Sequence, residues 1–320
     1  MKTKTLMLAA SVALSGGVAQ AALTALVPDS DTTFLFHFDE DAGSGIATNA
    51  VSGGANAAGF DNVYAGDNTD QTLITTSSGA TGFTGFGNAA DVSGNRAYGV
   101  DGDGSGAFRA HDNAPNSSPD DILQSSILGA GGSFTLEALV NVSQITGLQQ
   151  HIIATDSNNA VGERGFQFRI NTTGNLEFNF ISTDSGANPV LAAIPTVGAH
   201  AFAADEWFHA AISFESGTAS LYWTRVDEIH TEANLIGSGP ESLDLTFSSP
   251  LVIGNEGRSL NNRNAGQAAG FDESLEGLID EVRISSVARG ADEFIFTVPE
   301  PSTALFSALG ALGLMRRRRA

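Results

Sequence analysis

The chain has 320 residues, no cysteine and a formal net charge of −21 at pH 7. This charge excludes general nucleic-acid binders and proteins that attach to anionic membrane surfaces, because phosphate groups would be repelled. The absence of cysteine excludes a disulfide scaffold. Stability must therefore come from a buried core, and a chain of this length can form a substantial one.

The N-terminus carries the features of an export signal. Lys2 and Lys4, the only lysines of the chain, precede an apolar segment from Leu6 to Leu14, and Ala19-Gln20-Ala21 has the small-x-small form of a cleavage site. This pattern predicts a helical secretory signal peptide over residues 1–21. Without its two terminal segments the chain keeps 9 Arg against 35 Asp and Glu, a charge of −26, which suits a solvated extracellular protein.

Short β-like runs follow, separated by turns that contain glycine. The run Leu176-Glu177-Phe178-Asn179-Phe180 alternates apolar and polar residues with period two, as a half-buried strand does. Asn171–Asn175 and Glu215–Thr218 each place a glycine between two such runs and predict hairpin turns. Because no long segment has a helical period, we predict one all-β domain over residues 22–297, an antiparallel sandwich.

Residues 43–90 are poor in apolar side chains and rich in Gly, Ala, Ser, Thr, Asn and Asp. A sequence of this kind predicts long loops with one or two edge strands.

An acidic, glycine-rich segment begins at Asp101. Asp101, Asp103, Ser105 and Asp112 occupy positions 1, 3, 5 and 12 of the spacing found in calcium-binding loops, with Gly106 at position 6. The flanking residues have no helical period, which argues against an EF-hand. The segment is interpreted either as a non-helical Ca²⁺ loop or as an acidic turn of a hairpin.

Five stretches, in chain order, form one set. They are Phe36-His37-Phe38-Asp39-Glu40-Asp41-Ala42-Gly43-Ser44-Gly45, Gly132-Ser133-Phe134-Thr135-Leu136-Glu137-Ala138-Leu139-Val140, Glu206-Trp207-Phe208-His209-Ala210-Ala211-Ile212-Ser213-Phe214, Pro250-Leu251-Val252-Ile253-Gly254-Asn255 and Leu275-Glu276-Gly277-Leu278-Ile279-Asp280-Glu281-Val282-Arg283-Ile284. Together they resemble the laminin-G-like (concanavalin A-like lectin/glucanase) family. The resemblance implies an antiparallel jelly-roll sandwich, in which calcium is frequent, and it says little about activity.

A polar loop follows the fourth of these stretches and is a candidate ligand-binding segment. Asn255, Arg258, Asn261 and Arg263 supply hydrogen-bonding groups, and an exposed aromatic side chain would supply a stacking platform for a sugar. Trp223, Tyr64 and Tyr98 are the candidates for that platform. The alternative interpretation of the segment is a solvated, Asn-rich loop without a ligand.

Strand parity divides the last stretch into two faces. Leu278, Asp280, Val282 and Ile284 share one face, so Asp280 should lie among apolar neighbours. A carboxylate there needs a partner, and we expect either a structural arginine or Ca²⁺. By the same parity Trp207 and His209 share a face, and we expect Trp207 to be a core residue.

The C-terminus combines a motif, an apolar run and a basic end. Val298-Pro299-Glu300-Pro301-Ser302 precedes an apolar run of 13 residues from Thr303 to Met315, which ends at Arg316-Arg317-Arg318-Arg319. As a helix the run would be about 20 Å long, short of the roughly 30 Å of a bilayer core. Residues 298–320 resemble the PEP-CTERM sorting signal. The resemblance implies processing by an exosortase in the envelope of a Gram-negative bacterium, with this short helix removed or kept as an anchor and as the only membrane contact.

No catalytic pattern accompanies these features. Closely spaced acidic residues of the glucanase type, a Gly-x-Ser-x-Gly elbow and paired histidines at metal-ligand spacing are all missing from the sequence. We expect a non-enzymatic surface or extracellular-matrix protein that binds carbohydrate, such as exopolysaccharide, or protein. The alternatives are a polysaccharide-active hydrolase or lyase of the same fold and a purely structural matrix protein.

Overall fold

The computed structural model describes residues 25–61, 75–76, 86–93, 96–100, 122–123, 128, 132–156, 164–181, 189–227, 229–230, 232–243, 248–249, 251–255 and 273–295. The predicted signal peptide and the sorting segment, with their expected helices, lie outside these residues. Within the described ranges, no helix is long and apolar enough to cross a membrane.

Two eight-stranded antiparallel sheets form the domain, as the sequence predicts. The strands of sheet A are β1 (Thr32–Phe36), β4 (Thr75–Thr76), β5 (Ala89–Asp91), β8 (Phe134–Val142), β13 (Trp207–Glu215), β14 (Thr218–Arg225), β15 (Leu235–Pro240) and β18 (Gly277–Ser285). Their order is β15-β14-β13-β8-β18-β5-β4. On the same edge of β18, β5 pairs with residues 278–279 and β1 pairs with residues 282–285.

Sheet B and a small third sheet complete the architecture. The strands of sheet B are β2 (Ile46–Ala47), β3 (Ala57–Asp61), β6 (Arg96–Val100), β9 (Gln150–Asp156), β10 (Arg164–Ile170), β11 (Asn175–Phe180), β12 (Val190–Ala193) and β17 (Leu251–Ile253), in the order β12-β11-β10-β9-β17-β6-β3-β2. β7 (Ile122–Leu123) pairs with β16 (Ser248–Ser249). The jelly-roll sandwich predicted from the sequence is confirmed.

The main core lies between the sheets and is rich in phenylalanine. Phe134 stacks on Phe214 of the same sheet with ring centroids 5.0 Å apart, and it meets Phe178 and Phe180 of sheet B at 5.7 and 5.8 Å. The strand parity of sheet B turns its apolar residues toward this core and its polar residues away from it. The alternation read from residues 176–180 therefore marks the true inner and outer faces of β11.

The central strands of sheet A, β8, β13 and β18, are buried at nearly every position, because both faces of the sheet are covered there. Its outer face carries a second apolar cluster, which we call the outer cluster. Its members are Leu26, Leu35, Phe86, Ala89, Leu139, Trp207, Ala211, Tyr222, Val226, Ala233, Phe294 and Ile295. Trp207 belongs to this cluster and is 8% exposed, so the prediction of a packed, buried tryptophan is confirmed.

The two predicted hairpins are present. Gly174 turns the chain between β10 and β11 with φ of 79°, and Ser216 and Gly217 turn it between β13 and β14 with φ of 52° and 79°. In the second hairpin the two successive positive φ values match the twist of antiparallel strands. Glycine adopts a positive φ without steric cost, as Gly174 and Gly217 do.

Residues 43–90 contain more pairing than expected. Besides the expected edge strands β2 and β4, this region includes β3, which pairs with β6, and most of β5, which lies inside sheet A beside β18. Small residues such as Ala89 and Ala90, both fully buried, pack closely at these positions and give no clear apolar signal in the sequence.

The parity predicted for β18 is wrong. The pairing of β18 with β8 shifts between Asp280 and Arg283, and Glu281 has φ of 48°, so a bulge interrupts the alternation. Asp280 consequently stands opposite Leu139 of the outer cluster, whereas Ile279, opposite Val140, faces the main core.

Candidate functional site

The outer face of β9, β10 and β11 carries polar side chains that touch one another. Alternation places Phe166, Phe168 and Ile170 in the main core and turns the residues between them outward. We call the resulting surface the polar face; it comprises Gln149, His151, Gln167, Arg169, Asn171, Glu177, Asn179 and Glu273. Half of these side chains are buried, and the others, Gln149, Arg169, Asn171 and Glu273, are partly exposed. The side chains of Arg169 and Glu273 are 14% and 17% exposed.

Arg169 is at the centre of the polar face. The hairpin register places it directly opposite Glu177, and its Nε and Nη2 donate to Glu177 Oε1 at 2.9 and 2.6 Å. Its Nη1 donates to Gln149 Oε1 at 2.6 Å. Asn171 Nδ2 donates to the other oxygen of Glu177 at 3.1 Å. These bonds fix the guanidinium plane and one edge of Gln149 in a defined orientation.

A third chain segment reaches the same place from the far end of the sequence. Glu273 Oε2 lies 3.5 Å from Arg169 Nη1 and 3.2 Å from Nδ1 of the buried His151. The backbone N–H of His151 donates to the carbonyl oxygen of Glu273 at 2.9 Å. Planar amide, guanidinium and carboxylate groups are thereby gathered on one surface, an arrangement able to hydrogen-bond a ligand rich in hydroxyl groups.

The sequence contains part of this site. A hairpin centred on Asn171–Asn175 sets Arg169 opposite Glu177, so this ion pair follows from the predicted turn and strand parity. Glu273 and Gln149 lie 104 and 20 positions from Arg169, and no local sequence pattern predicts that either side chain approaches it.

A second group of acidic residues lies near the outer face of sheet A. Asp280 is 1% exposed; its Oδ1 accepts from the N–H of Glu281 at 2.7 Å, and its Oδ2 has no hydrogen-bond partner among the described residues. Burial, and then the charges of Glu281 and Asp39, raise the pKa of Asp280 well above its usual value. Glu281 accepts from the N–H of Leu26 at 2.9 Å and lies 2.8 Å from His37 Nδ1.

The two expected partners of Asp280 have different outcomes. In the described part of the chain no arginine pairs with Asp280, because the neighbouring Arg283 binds Glu137 instead. The described residues also contain no set of three or more His, Asp or Glu side chains that converge on a metal position. Asp39 lies nearby and packs so closely on Gly87 that a side chain at position 87 would collide with its carboxylate.

Two predicted ligand-binding residues lie in the interior. Trp223 is fully buried, and its ring stacks on that of Phe208 with centroids 4.8 Å apart. The prediction that Trp223 is an exposed sugar platform is wrong, because the parity of β14 turns it into the main core. Asn255 is also fully buried and is not part of an open loop surface.

The other predicted site residues lie outside the described residues. They are Asp101, Asp103, Ser105 and Asp112 of the acidic loop, Arg258, Asn261 and Arg263 of the polar loop, and Val298, Pro299, Glu300, Pro301, Ser302, Arg316, Arg317, Arg318 and Arg319 of the sorting segment. Their assignments stay predictions from the sequence.

Comparison with protein families gives two matches. The Concanavalin A-like lectin/glucanases superfamily matches residues 118–294, more than half of the chain. The PEP-CTERM protein-sorting motif matches residues 297–319. Among curated proteins, none matches this sequence.

Several solved structures are similar to this chain. Domain 4 of an extracellular arabinanase from Geobacillus stearothermophilus, in complex with arabinotriose, is 14% identical with a TM-score of 0.48, over 86% of this chain and 97% of that one. Trypanosoma rangeli sialidase is 11% identical with a TM-score of 0.47, over 84% and 32%. The binding domain of botulinum neurotoxin serotype D is 14% identical with a TM-score of 0.48, over 83% and 50%. The chain thus spans about a third of the sialidase and half of the neurotoxin chain.

Proposed function

The chain belongs to the concanavalin A-like lectin/glucanases superfamily, and we propose that it is an exported surface or matrix protein that binds extracellular polysaccharide on the polar face of sheet B. The PEP-CTERM motif marks the protein for an exosortase-type sorting system and for export to the envelope or surface of a Gram-negative bacterium. The observation that carries the proposal is the arrangement around Arg169, where Gln149 and Glu177 hold the guanidinium at a partly open surface and Asn171 holds Glu177.

Polysaccharide chemistry fits this arrangement. Sugar hydroxyls both donate and accept hydrogen bonds, and the polar face offers both functions in fixed planes: amide and guanidinium donors, and carboxylate and amide acceptors. A neutral or cationic glycan is favoured over an anionic one, because the exported chain carries a net charge of −26.

We propose that this binding is non-catalytic. Hydrolysis of a glycosidic bond needs one carboxyl group that gives its proton to the leaving oxygen and a second that acts as base or nucleophile. Both carboxylate oxygens of Glu177 already accept hydrogen bonds, from Arg169 and Asn171. Because Glu177 is also only 4% exposed, it orients Arg169 and is not placed to reach a substrate.

We further propose a structural Ca²⁺ beside Asp280. The buried Oδ2 without a partner is a hard oxygen ligand of the kind that Ca²⁺ prefers, and the nearby Asp39 adds a second carboxylate. Calcium bound there would supply the positive charge that compensates the buried acidic residues. The acidic loop with Asp101, Asp103, Ser105 and Asp112 is the alternative calcium site.

A glycan array followed by calorimetry tests the binding proposal on the mature protein, with the exopolysaccharide of the producing bacterium included. We expect Gln149→Ala and Arg169→Lys to weaken binding, because the lysine keeps the charge but loses the planar fork. Gln144→Ala, an exposed residue of the same loop region, is the matched control.

Three outcomes separate the alternatives. If Gln149→Ala binds the glycan as tightly as the wild type, the polar face is not the binding site. Cleavage of a polysaccharide that Glu177→Gln or Glu273→Gln abolishes would establish an enzyme. Self-association without affinity for any glycan would identify a structural matrix protein.

A further inference from the structure

The chain that follows β18 returns over the outer face of sheet A. Its last described segment, Ala291–Ile295, we call the strap. Phe294 and Ile295 are 5% and 2% exposed and belong to the outer cluster. The ring of Phe294 lies 5.0 Å from the rings of both Tyr222 and His209. Two large apolar side chains at the end of the strap therefore pack on side chains of β13 and β14.

Polar contacts hold the strap at a few points. The N–H of Ala233 donates to the carbonyl oxygen of Ala291 at 3.0 Å, and Arg283 Nη2 donates to that of Glu293 at 2.9 Å. Arg283 also pairs with Glu137, whose other oxygen lies 3.0 Å from His209 Nε2. The strap thus covers a buried polar trio, formed by Arg283, Glu137 and His209.

The sorting motif begins almost where the strap ends. The family match starts at residue 297, two positions after the buried Ile295. Even fully extended, two residues span only about 7 Å. A processing enzyme that binds the motif from residue 297 onward would therefore lie against the folded domain while the strap is docked.

From these contacts we propose that the strap is a latch: Phe294 and Ile295 leave the outer face of sheet A when the sorting motif enters its processing enzyme. This inference depends on the proposed sorting of the protein. Release of the strap does not require unfolding, because the main core is a cluster distinct from the outer cluster. Local opening of a terminal segment of this kind is a low-energy event compared with global unfolding.

Pulse-chase expression of the full chain in a bacterium with the sorting system tests the latch, with the C-terminus followed by mass spectrometry. Phe294→Ala should speed tail processing about tenfold where strap opening limits the rate, because the variant loses the packing of the Phe294 ring on Tyr222 and His209. Asp292→Ala, which changes an exposed residue of the same strap, should process at the wild-type rate.

A disulfide that ties the strap to the rest of the domain should slow tail processing, the opposite of the effect expected for Phe294→Ala. Because the chain has no cysteine, the pair Ala233→Cys and Ala291→Cys can form only one disulfide. We expect the oxidised pair to slow processing and a reductant to restore the wild-type rate. The reduced form is its own control for folding.

The results distinguish the latch from the sorting proposal. The latch is overturned, and sorting is unaffected, if the wild-type protein, Phe294→Ala and the oxidised cysteine pair all lose their tails at the same rate. The disulfide of the oxidised pair is verified by mass. A wild-type tail that stays intact through Arg319 overturns the latch, because no cleavage then requires the strap to open. The sorting proposal fails only if the wild-type protein is also absent from the envelope and surface fractions.

Discussion

Arg289 donates from Nη2 to both carboxylate oxygens of Asp29, at 2.9 and 2.8 Å, although 260 positions separate the two residues. The N–H of Ser286 also donates to the carbonyl oxygen of Asp31 at 2.8 Å. These bonds join the first described segment of the exported domain to the segment that follows β18. The first described residues and the segment that leads to the sorting motif are therefore fastened to each other.

Asp29→Asn is expected to destabilise the protein at neutral pH. Burial alone would raise the pKa of Asp29, but hydrogen bonds from Thr32 and Arg289, with the charge of Arg289, lower it to about 2 from 3.8. The ionised form is thus favoured by folding, and this stability is present above pH 3.8 and lost as the pH falls toward 2. Since the carboxylate is nearly half exposed, the cost at pH 7 is roughly 0.5–1 kcal/mol.

Urea unfolding at several pH values measures this difference. Asp31→Asn is the control, since it removes a charge from the same turn without touching Arg289. A destabilisation by Asp29→Asn that is equal at pH 7 and pH 2.5 would contradict the assigned role of the ion pair.

Glu241→Gln is expected to stabilise the protein in mild alkali. Burial raises the pKa of Glu241 to about 7 from 4.5, and a hydrogen bond from the N–H of Ser242 offsets this only in part. Folding therefore favours the protonated carboxyl group, so wild-type stability falls as the pH rises from 4.5 through 7. At pH 8 the glutamine variant should be more stable by about 1 kcal/mol, less than the full shift would give because Glu241 is partly exposed.

The pH profile of thermal unfolding provides the measurement. Glu215→Gln serves as the comparison, because Glu215 is exposed and ends β13 at the hairpin whose Gly217 accepts from the N–H of Glu241. The two variants should differ from each other above pH 7 and converge below pH 5. An unchanged profile for Glu241→Gln would show that its carboxyl group is solvated in solution.

Phe134→Ala should be among the most damaging single changes. Phe134 is fully buried and contacts three other rings from both sheets, so the cavity cannot close by movement of one neighbour. The expected loss is about 3–5 kcal/mol in the free energy of unfolding, measured in urea. Val197→Ala, at a position that is 82% exposed, should change stability by no more than about 0.5 kcal/mol.

Local patterns in the sequence predict the parts of this fold that depend on local rules. Alternation along Leu176–Phe180 and glycine at positions 174 and 217 predict β11 and two hairpins. Together with the order of the five motifs, they predict the jelly roll. The same rules set Arg169 opposite Glu177, since both lie the same distance from the centre of one hairpin.

Other features of the fold cannot be predicted from local sequence patterns. The bulge at Glu281 reverses the faces of Leu278 and Asp280 relative to simple alternation, and a β-bulge has no sequence signature here because the residue with positive φ is a glutamate. Trp223 shows the limit of residue-type reasoning, because an aromatic residue suits either a sugar platform or a core, and burial alone decides between them.

Calcium should raise the melting temperature of the protein, and Asp280→Asn should abolish the increase. Binding to the folded state alone stabilises it by about 2.7 kcal/mol at 100 times the dissociation constant, which in a domain of this size is a shift of several degrees. Burial raises the pKa of Asp280, so metal binding at a pH below that raised pKa should also release a proton. Thermal unfolding in Ca²⁺ and in chelator measures the shift, and Asp103→Asn is the matched variant for the acidic loop. A shift that survives in Asp280→Asn but disappears in Asp103→Asn would place the metal in the loop, and no shift in the wild type would eliminate both sites.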